Sequence, residues 1–506
     1  MMLSLLIALP LVGALVVAFL PGRPGDVLPK WVALAFSLAT LVVGAIIGIA
    51  NADSGKTWAE EHTWIEPIGA HWALAVDGLG VTMVLLTVLL VPVVIGASWH
   101  DADARNTRGF FALMLVVESL ALAVFCAQDV FLFYLVFEAT LIPAYFLIGS
   151  FGHGPARTAA AVKFLLYMLA GGLVMLASVV ALYAFSAREG AASYLISDLS
   201  GLTLSTNEER LLFLGFFLAF AIKAPLFPFH TWLPDTTGNA TPGTSVLLIC
   251  VLDKIGTYGM LRFCLELFPG ASEWATPVVV GLALISIVYG ALLALGQDDL
   301  LVLTGLTSLS HFGFIVLGIF VLNDQGVSGA TFYMLNHGLA TAVLFLAAGY
   351  LITRTGTPLL SQMGGVEKKA PVLAALLLLG GLGTLGLPGL SPFASEFLVM
   401  LGAFQYAWWV GAIAVTGIVL AAAYVLRAYR LAVTGPERES LAGIRDVGAR
   451  EVAVVAPLVA LMLLLGFAPQ LALSVINPSS LRTVEIAGCV ETAEQPCIQA
   501  TEEVRP

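Results

Sequence analysis

Nine ionisable residues fall inside long apolar stretches of this 506-residue chain: Glu118, Glu138, Lys163, Lys223, Asp253, Lys254, His311, His337 and Glu396. An ionised side chain at the centre of a bilayer costs at least ~2.5–3.5 kcal/mol. Groups of both signs in such stretches make sense when they face inward, pair with one another and exchange protons. Glu138 sits mid-stretch in Tyr134-Leu-Val-Phe-Glu138-Ala-Thr-Leu-Ile-Pro143. Lys223 lies about thirteen residues into its stretch, or ~20 Å along a helix, and Lys254 lies at comparable depth in the next. Burial favours the neutral amine, whereas a nearby carboxylate favours the ammonium. A Glu138–Lys223 pair that is alternately made and broken would therefore load and release a proton.

The same residues allow blander roles. Glu138 and Lys223 could form a static interhelical ion pair, and His311 and His337 could each be a satisfied core imidazole. As bridges between a lysine and a distant carboxylate, however, groups that titrate near neutrality suit a relay. Lys163 lies only a few residues into its stretch and can snorkel to the surface. Glu118 and Asp253 belong to no motif.

The elements that must position these residues are membrane helices. Hydrophobic residues make up 59% of the chain and charged ones 11%, with a mean hydropathy of +0.97; a soluble domain carries about 25% charged residues. Apolar runs of bilayer-spanning length divide the chain into about fourteen spans: 1–20, 31–50, 75–98, 110–127, 130–149, 160–186, 210–230, 242–265, 275–296, 299–321, 327–352, 371–400, 406–433 and 451–475. Residues 1–20 lack a basic n-region and an A-x-A site, which favours an uncleaved first helix over a signal peptide. The expected fold is an all-α integral membrane bundle. It divides into helices 1–3 (1–109), helices 4–8 (110–265), helices 9–13 (275–433), helix 14 (451–475) and a polar tail (476–506).

Thirteen Lys and Arg residues lie on the odd-numbered loops or span ends, and six on the even loops and tail. By the positive-inside rule the odd loops are cytoplasmic and both termini face outward. Cys489 and Cys497 would then lie in an oxidising compartment, where a disulfide between them can persist.

Two spans share an unusual feature. The seventh holds Lys223-Ala-Pro225-Leu-Phe-Pro228, and the twelfth holds Pro388-Gly-Leu-Ser-Pro392-Phe-Ala-Ser-Glu396. Each proline leaves the carbonyl four residues earlier without its helical donor. Such carbonyls are tolerated in a membrane only against protein or a water-filled cavity. Paired interruptions in two halves of a chain point to internal repeats with an ion site between them.

Other motifs lead nowhere. Gly381-x-Gly383-x-x-Gly386 fits the dinucleotide fingerprint but follows no strand. Asn239-Ala-Thr241 is a glycosylation sequon on the expected cytoplasmic side. The sequence contains no metal-ligand spacing, no basic stripe for nucleic acid, and no flavin, haem or iron–sulfur motif.

The stretches Asp77-Gly-Leu, Asp129-Val-Phe-Leu-Phe-Tyr through Glu138 to Pro143, Lys163-Phe-Leu-Leu-Tyr, Lys223-Ala-Pro to His230-Thr-Trp-Leu-Pro-Asp235, Lys254 to Arg262 and His337-Gly-Leu resemble the antiporter-like subunits of respiratory complex I. That family is shared with Mrp-type sodium/proton antiporters and membrane-bound hydrogenases, and the resemblance runs over nearly the whole chain. It implies fourteen helices, with spans 4–8 and 9–13 as inverted five-helix repeats and helices 7 and 12 broken. It further implies Glu138 and Lys223 as a modulating pair, Lys254, His311 and His337 as a central relay, and Glu396 as the terminal carboxylate.

In the L and N branches and in the antiporters, lysine usually stands at the span-12 position. Glu396 and the sequence Gly466-Phe-Ala-Pro469-Gln470 resemble the M branch instead. The resemblance implies proton translocation coupled to quinone reduction elsewhere, with FMN, iron–sulfur clusters and quinone on other subunits. It also implies neighbouring membrane subunits, L and N above all, and a bacterial inner membrane. One stretch departs from the family: after Asp299-Leu300 a basic pair and a tyrosine are usual, but Leu301-Val302 and Thr304-Gly305-Leu306 stand here. An Mrp-type or hydrogenase subunit is the alternative, against which Glu396 argues; a non-pumping scaffold is another, against which the buried charges argue.

Overall fold

A computed structural model describes residues 1–21, 23–54, 58–190, 192–436 and 443–488. The chain opens with α1 (Met2–Phe19) and α2 (Leu28–Ser54), then strands β1 (Trp58–Ile65) and β2 (Ala70–Val76). There follow α3 (Gly78–Ala97), α4 (Thr107–Cys126), α5 (Val130–Ala139), α6 (Leu141–Phe151), α7 (Arg157–Arg188), α8 (Ile196–Leu199), α9 (Thr206–Lys223) and α10 (Trp232–Thr237). Next come α11 (Pro242–Val246) and α12 (Lys254–Gly259), each followed by a π-helical turn, Leu247–Leu252 and Met260–Leu265. The remainder is α13 (Pro269–Leu295), α14 (Leu300–Phe320), α15 (Asp324–Thr355), α16 (Pro371–Thr384), α17 (Ser391–Tyr406), α18 (Trp408–Ala432), α19 (Ala449–Phe467) and α20 (Gln470–Gly488).

Among the described residues, twelve helices are long and apolar enough to cross a membrane. Two further segments, α9–α10 and α16–α17, are interrupted where the sequence places the seventh and twelfth spans. α9 ends at Lys223 because Ala224 precedes a proline and takes an extended conformation (ψ 95°), as pre-proline residues do. The second break spans residues 385–390, with Gly386 and Gly389 at positive φ. Pro388 falls in this gap. Pro392 does not break the helix as expected; it stands in the first turn of α17, where a missing N–H costs nothing. A slighter irregularity was not expected. Pro143 removes the helical donor to the Ala139 carbonyl, and α5 and α6 meet at Thr140, two residues beyond Glu138; Thr140 keeps a right-handed helical conformation (φ −60°, ψ −23°), so the fifth span still crosses as one helix, Val130–Phe151.

Two helix boundaries need correction, and the helical membrane bundle carries one unexpected addition: residues 58–76 form an antiparallel hairpin of β1 and β2. β-branched and aromatic residues such as Thr63, Trp64 and Ile65 suit a strand, and Gly69 turns the chain at φ 63°. α9 starts at Thr206, because a Ser205/Glu208 capping box makes the charged run a helix start rather than a loop. The fourteenth span ends at Phe467, and part of the expected polar tail is α20. Cys489 and Cys497 lie outside the described residues.

Connections sort onto two faces. On one, Gly25 N–H donates to Thr107, Arg105 to the Ser150 carbonyl, Leu300 N–H to the Pro358 carbonyl, and Arg427 to the Gln297 carbonyl. On the other, β2 bridges residue 127, Asp129 bridges Leu195, and Thr483 of α20 donates to Glu266. These are the odd-numbered and even-numbered loops respectively. The departure at Asp299 is compensated on the odd face. Asp299 accepts from the Leu301 and Val302 N–H groups, and neighbouring Asp298 accepts from Ser361.

The lipid-facing helices α1, α2, α7 and α18 expose large apolar side chains such as Leu15, Val42, Leu166 and Val419. The 242–265 span, α14 and α15 are enclosed. In lipid there is no hydrophobic drive to hold helices together, so close packing and internal polar contacts must do it. At the odd face Arg354 joins the end of α15 to the start of α19: it pairs with Glu451 at 2.6 Å and donates to the Arg445, Asp446 and Tyr350 carbonyls. Removing one partner of a largely buried ion pair costs roughly 3 kcal/mol. Arg354→Ala should therefore lower the thermal unfolding temperature of the detergent-purified protein clearly. Arg188→Ala, which removes an exposed, solvent-screened pair with Glu208, should leave it nearly unchanged. Equal melting shifts for the two would contradict this assignment.

Candidate proton path

Glu138 projects from the last turn of α5 toward α7. Its Oε1 has no hydrogen-bond partner among the described residues. The carboxylate occupies space that a side chain at residue 172 would fill: a Cβ on Gly172 would lie 1.8 Å from Oε1. Thr140, at the α5–α6 junction, meets Lys223, whose Nζ donates to the Thr140 hydroxyl at 3.1 Å. Nζ also lies 4.8 Å from the centre of the Phe137 ring, a cation–π contact worth ~0.5–2 kcal/mol. No carboxylate oxygen lies within 4.0 Å of Nζ among the described residues. The Glu138–Lys223 pair is thus open, with Thr140 standing in for the carboxylate.

Lys254 occupies the middle of the enclosed span between the two π turns. Its Nζ lies 2.6 Å from His337 Nδ1 and 4.2 Å from the Phe312 ring centre. An ammonium has no acceptor capacity, so with Lys254 charged Nδ1 accepts, and the proton of the neutral imidazole sits on Nε2. Nε2 has no protein partner among the described residues. The His337 and His311 rings stand edge-on at 5.3 Å. His311 Nε2 is 3.2 Å from the Tyr424 hydroxyl.

Beyond His311 stands Tyr333, with ring centres 5.9 Å apart, and its hydroxyl donates to Glu396 Oε1. Glu396 has no Lys or Arg nitrogen within 4.0 Å among the described residues. Asn336 fixes the interruption by donating to the Ser391 carbonyl and to Ser395 at 2.9 and 3.1 Å.

The structure therefore places Glu138 and Lys223 on either side of Thr140, at the ends of α5 and α9, and joins Lys254, His337, His311 and Glu396 through named contacts. Asp253 is buried beside Lys254, with Oδ2 unpartnered among the described residues. Two candidates stand apart. Lys163 forms a half-exposed ion pair with Asp235 at 2.7 Å, and Glu118 is wholly buried on α4 with neither oxygen bonded among the described residues. Sequence reasoning missed Thr140, Tyr333, Tyr424 and His230, a buried imidazole stacked on Phe227 in the first interruption. Tyr333 was within reach, because it precedes His337 by four residues and so shares its helix face. Tyr424 carries no comparable signal.

A bundle with two interrupted segments and an enclosed row of lysine, histidine and carboxylate defines an antiporter-like membrane subunit. A family profile described as NADH:quinone oxidoreductase/Mrp antiporter, transmembrane, matches residues 127–421. NADH-quinone oxidoreductase subunit M of Mycobacterium tuberculosis is 45% identical, covering 96% of this chain and 94% of the relative. That of Rhodobacter capsulatus is 40% identical over 96% of each. Among solved structures, a chain of respiratory complex I from Thermus thermophilus is 31% identical with a TM-score of 0.88, covering 97% and 100%. A chain of the Mrp complex from Dietzia shares the fold at 21% identity and a TM-score of 0.83 over 96% and 97%. The chain belongs to this family, and within it to NADH-quinone oxidoreductase subunit M.

The seat of Glu138 is testable. Gly172→Ala should displace the carboxylate and lower proton transport by roughly tenfold or more. Gly281→Ala, which meets nothing within 4 Å, should be silent. Equal transport in the two variants would mean that the Glu138 position is unimportant.

Proposed function

We propose that this chain is a proton-translocating membrane subunit of NADH:quinone oxidoreductase. Protons pass along Glu138, Lys223, Lys254, His337, His311, Tyr333 and Glu396, driven by quinone reduction in other subunits. The observation that carries this reading is the direct Lys254–His337 contact, continued by close rings and a hydroxyl to an uncompensated carboxylate. A static ion-pair lattice would place a cation beside Glu396; Tyr333 is there instead.

The expected coupling is electrostatic or mechanical, with FMN, iron–sulfur clusters and quinone on neighbouring chains. Subunits L and N are the expected membrane partners. The stretches 110–265 and 275–433 act as two halves, each with one interrupted helix. The odd face is cytoplasmic in a bacterial inner membrane, on the distribution of Lys and Arg. Protons then enter on the Glu138–Lys223 side and leave by Glu396.

Moving one charge against 100 mV requires ~2.3 kcal/mol, so the groups on the path must change protonation rather than hold fixed charge. Glu138→Gln should leave the complex assembled while lowering NADH-driven proton pumping roughly tenfold or more. Lys223→Arg should fail similarly, because arginine keeps its proton at working pH. Full pumping by the arginine variant would mean that Lys223 supplies only fixed charge.

At the exit, Glu396→Gln should block pumping and Glu396→Lys should retain part of it, since the requirement is a group that titrates. An assembled lysine variant that pumps less than the glutamine variant would refute the exit assignment.

A further inference from the structure

We propose that Asp253 carries the proton from Lys223 to Lys254 and so links the two halves of the path. This inference rests on the proton path proposed for this chain. The named contacts leave a gap there: Lys223 is bonded to Thr140 and Lys254 to His337, and among the described residues no group bonds both lysines.

Asp253 stands at the end of a π turn, its N–H donating to the Leu248 carbonyl five residues back at 2.8 Å. Such turns within α-helices are frequent at functional sites. Gly256, three residues on and on the same face, abuts the end of α9. A Cβ there would lie 2.6 Å from the Ala224 nitrogen and 2.7 Å from the Phe220 carbonyl oxygen. Only glycine permits that approach, and the α9 turn it meets is the one that carries Lys223.

The next residue, Lys254, is rotated about 100° around the helix and addresses a different wall. Its Nζ meets His337, and Thr257, three residues further on, reaches Met334 at 2.8 Å. Consecutive residues thus face the two halves. Asp253 is 1% exposed and its Oδ2 has no partner among the described residues.

The transfer balances in two steps. The Lys223 ammonium loses a proton to become an amine as the Asp253 carboxylate becomes a carboxylic acid. The acid then loses that proton to the Lys254 amine, restoring the carboxylate and leaving an ammonium. A fixed counter-ion would stay ionised throughout, and this separates the two roles.

The test uses the intact complex in proteoliposomes during NADH turnover. Infrared difference spectra should show a transient carboxylic-acid C=O band that disappears in Asp253→Asn and shifts in Asp253→Glu. Pumping should fall roughly tenfold or more in the asparagine variant and recover in part with glutamate. Should the asparagine variant fail to assemble, the band in the glutamate variant decides: shifted supports the proposal, unmoved overturns it. Normal pumping by Asp253→Asn, with Glu138→Gln blocked in the same preparation, overturns the link alone. Normal pumping by both overturns the whole path.

Discussion

The contact between Lys254 and His337 sets the terms for the rest of the molecule. A lysine at the centre of a lipid-embedded bundle needs a partner, because an unpaired buried charge costs several kcal/mol. A carboxylate in that place would hold the ammonium permanently. A neutral imidazole stabilises the ammonium by one hydrogen bond without adding an opposite charge. The Phe312 face supplies a second weak attraction of the same kind. Such a site works only if lipid and bulk water are kept away, and the helices that carry it are the enclosed ones. Lys223 repeats the arrangement at the end of α9, with a hydroxyl for the imidazole and Phe137 for Phe312.

The interruptions follow from the same constraint. A continuous helix consumes its own carbonyls and offers nothing polar to a passing proton. Prolines at 143, 225 and 388 release carbonyls beside Glu138, Lys223 and His311, and side chains take up some of the freed backbone. Trp232 donates to the Ile222 carbonyl, and Ser286 accepts the Phe227 N–H. In hydrocarbon these groups must be satisfied internally. Each break therefore sits against protein, and the path runs along the line of breaks.

Much of this was legible in the sequence because membrane burial is a severe filter. An ionisable residue in a twenty-residue apolar run has few reasons to be there, which marked Glu138, Lys223, Lys254, His311, His337 and Glu396. The proline pairs marked the seventh and twelfth spans as interrupted. Partner choice was not legible. Sequence places Glu138 and Lys223 together, yet Thr140 holds the lysine, a contact between two helices that spacing along either one does not specify. Tyr333 was hidden because a tyrosine in an apolar helix reads as packing. The β1–β2 hairpin escaped because hydropathy windows see only the bilayer, and strand pairing outside it leaves a short, mixed pattern.

The claim that the buried chain conducts protons is tested most directly at its centre. Lys254→Met keeps the volume and the apolar stem of the side chain and removes the group that titrates. In the assembled complex, reconstituted into sealed vesicles, protons moved per NADH oxidised should fall in this variant, with the complex intact on native gels. An unchanged ratio in intact complex would mean that protons bypass Lys254, and that the buried row is structural.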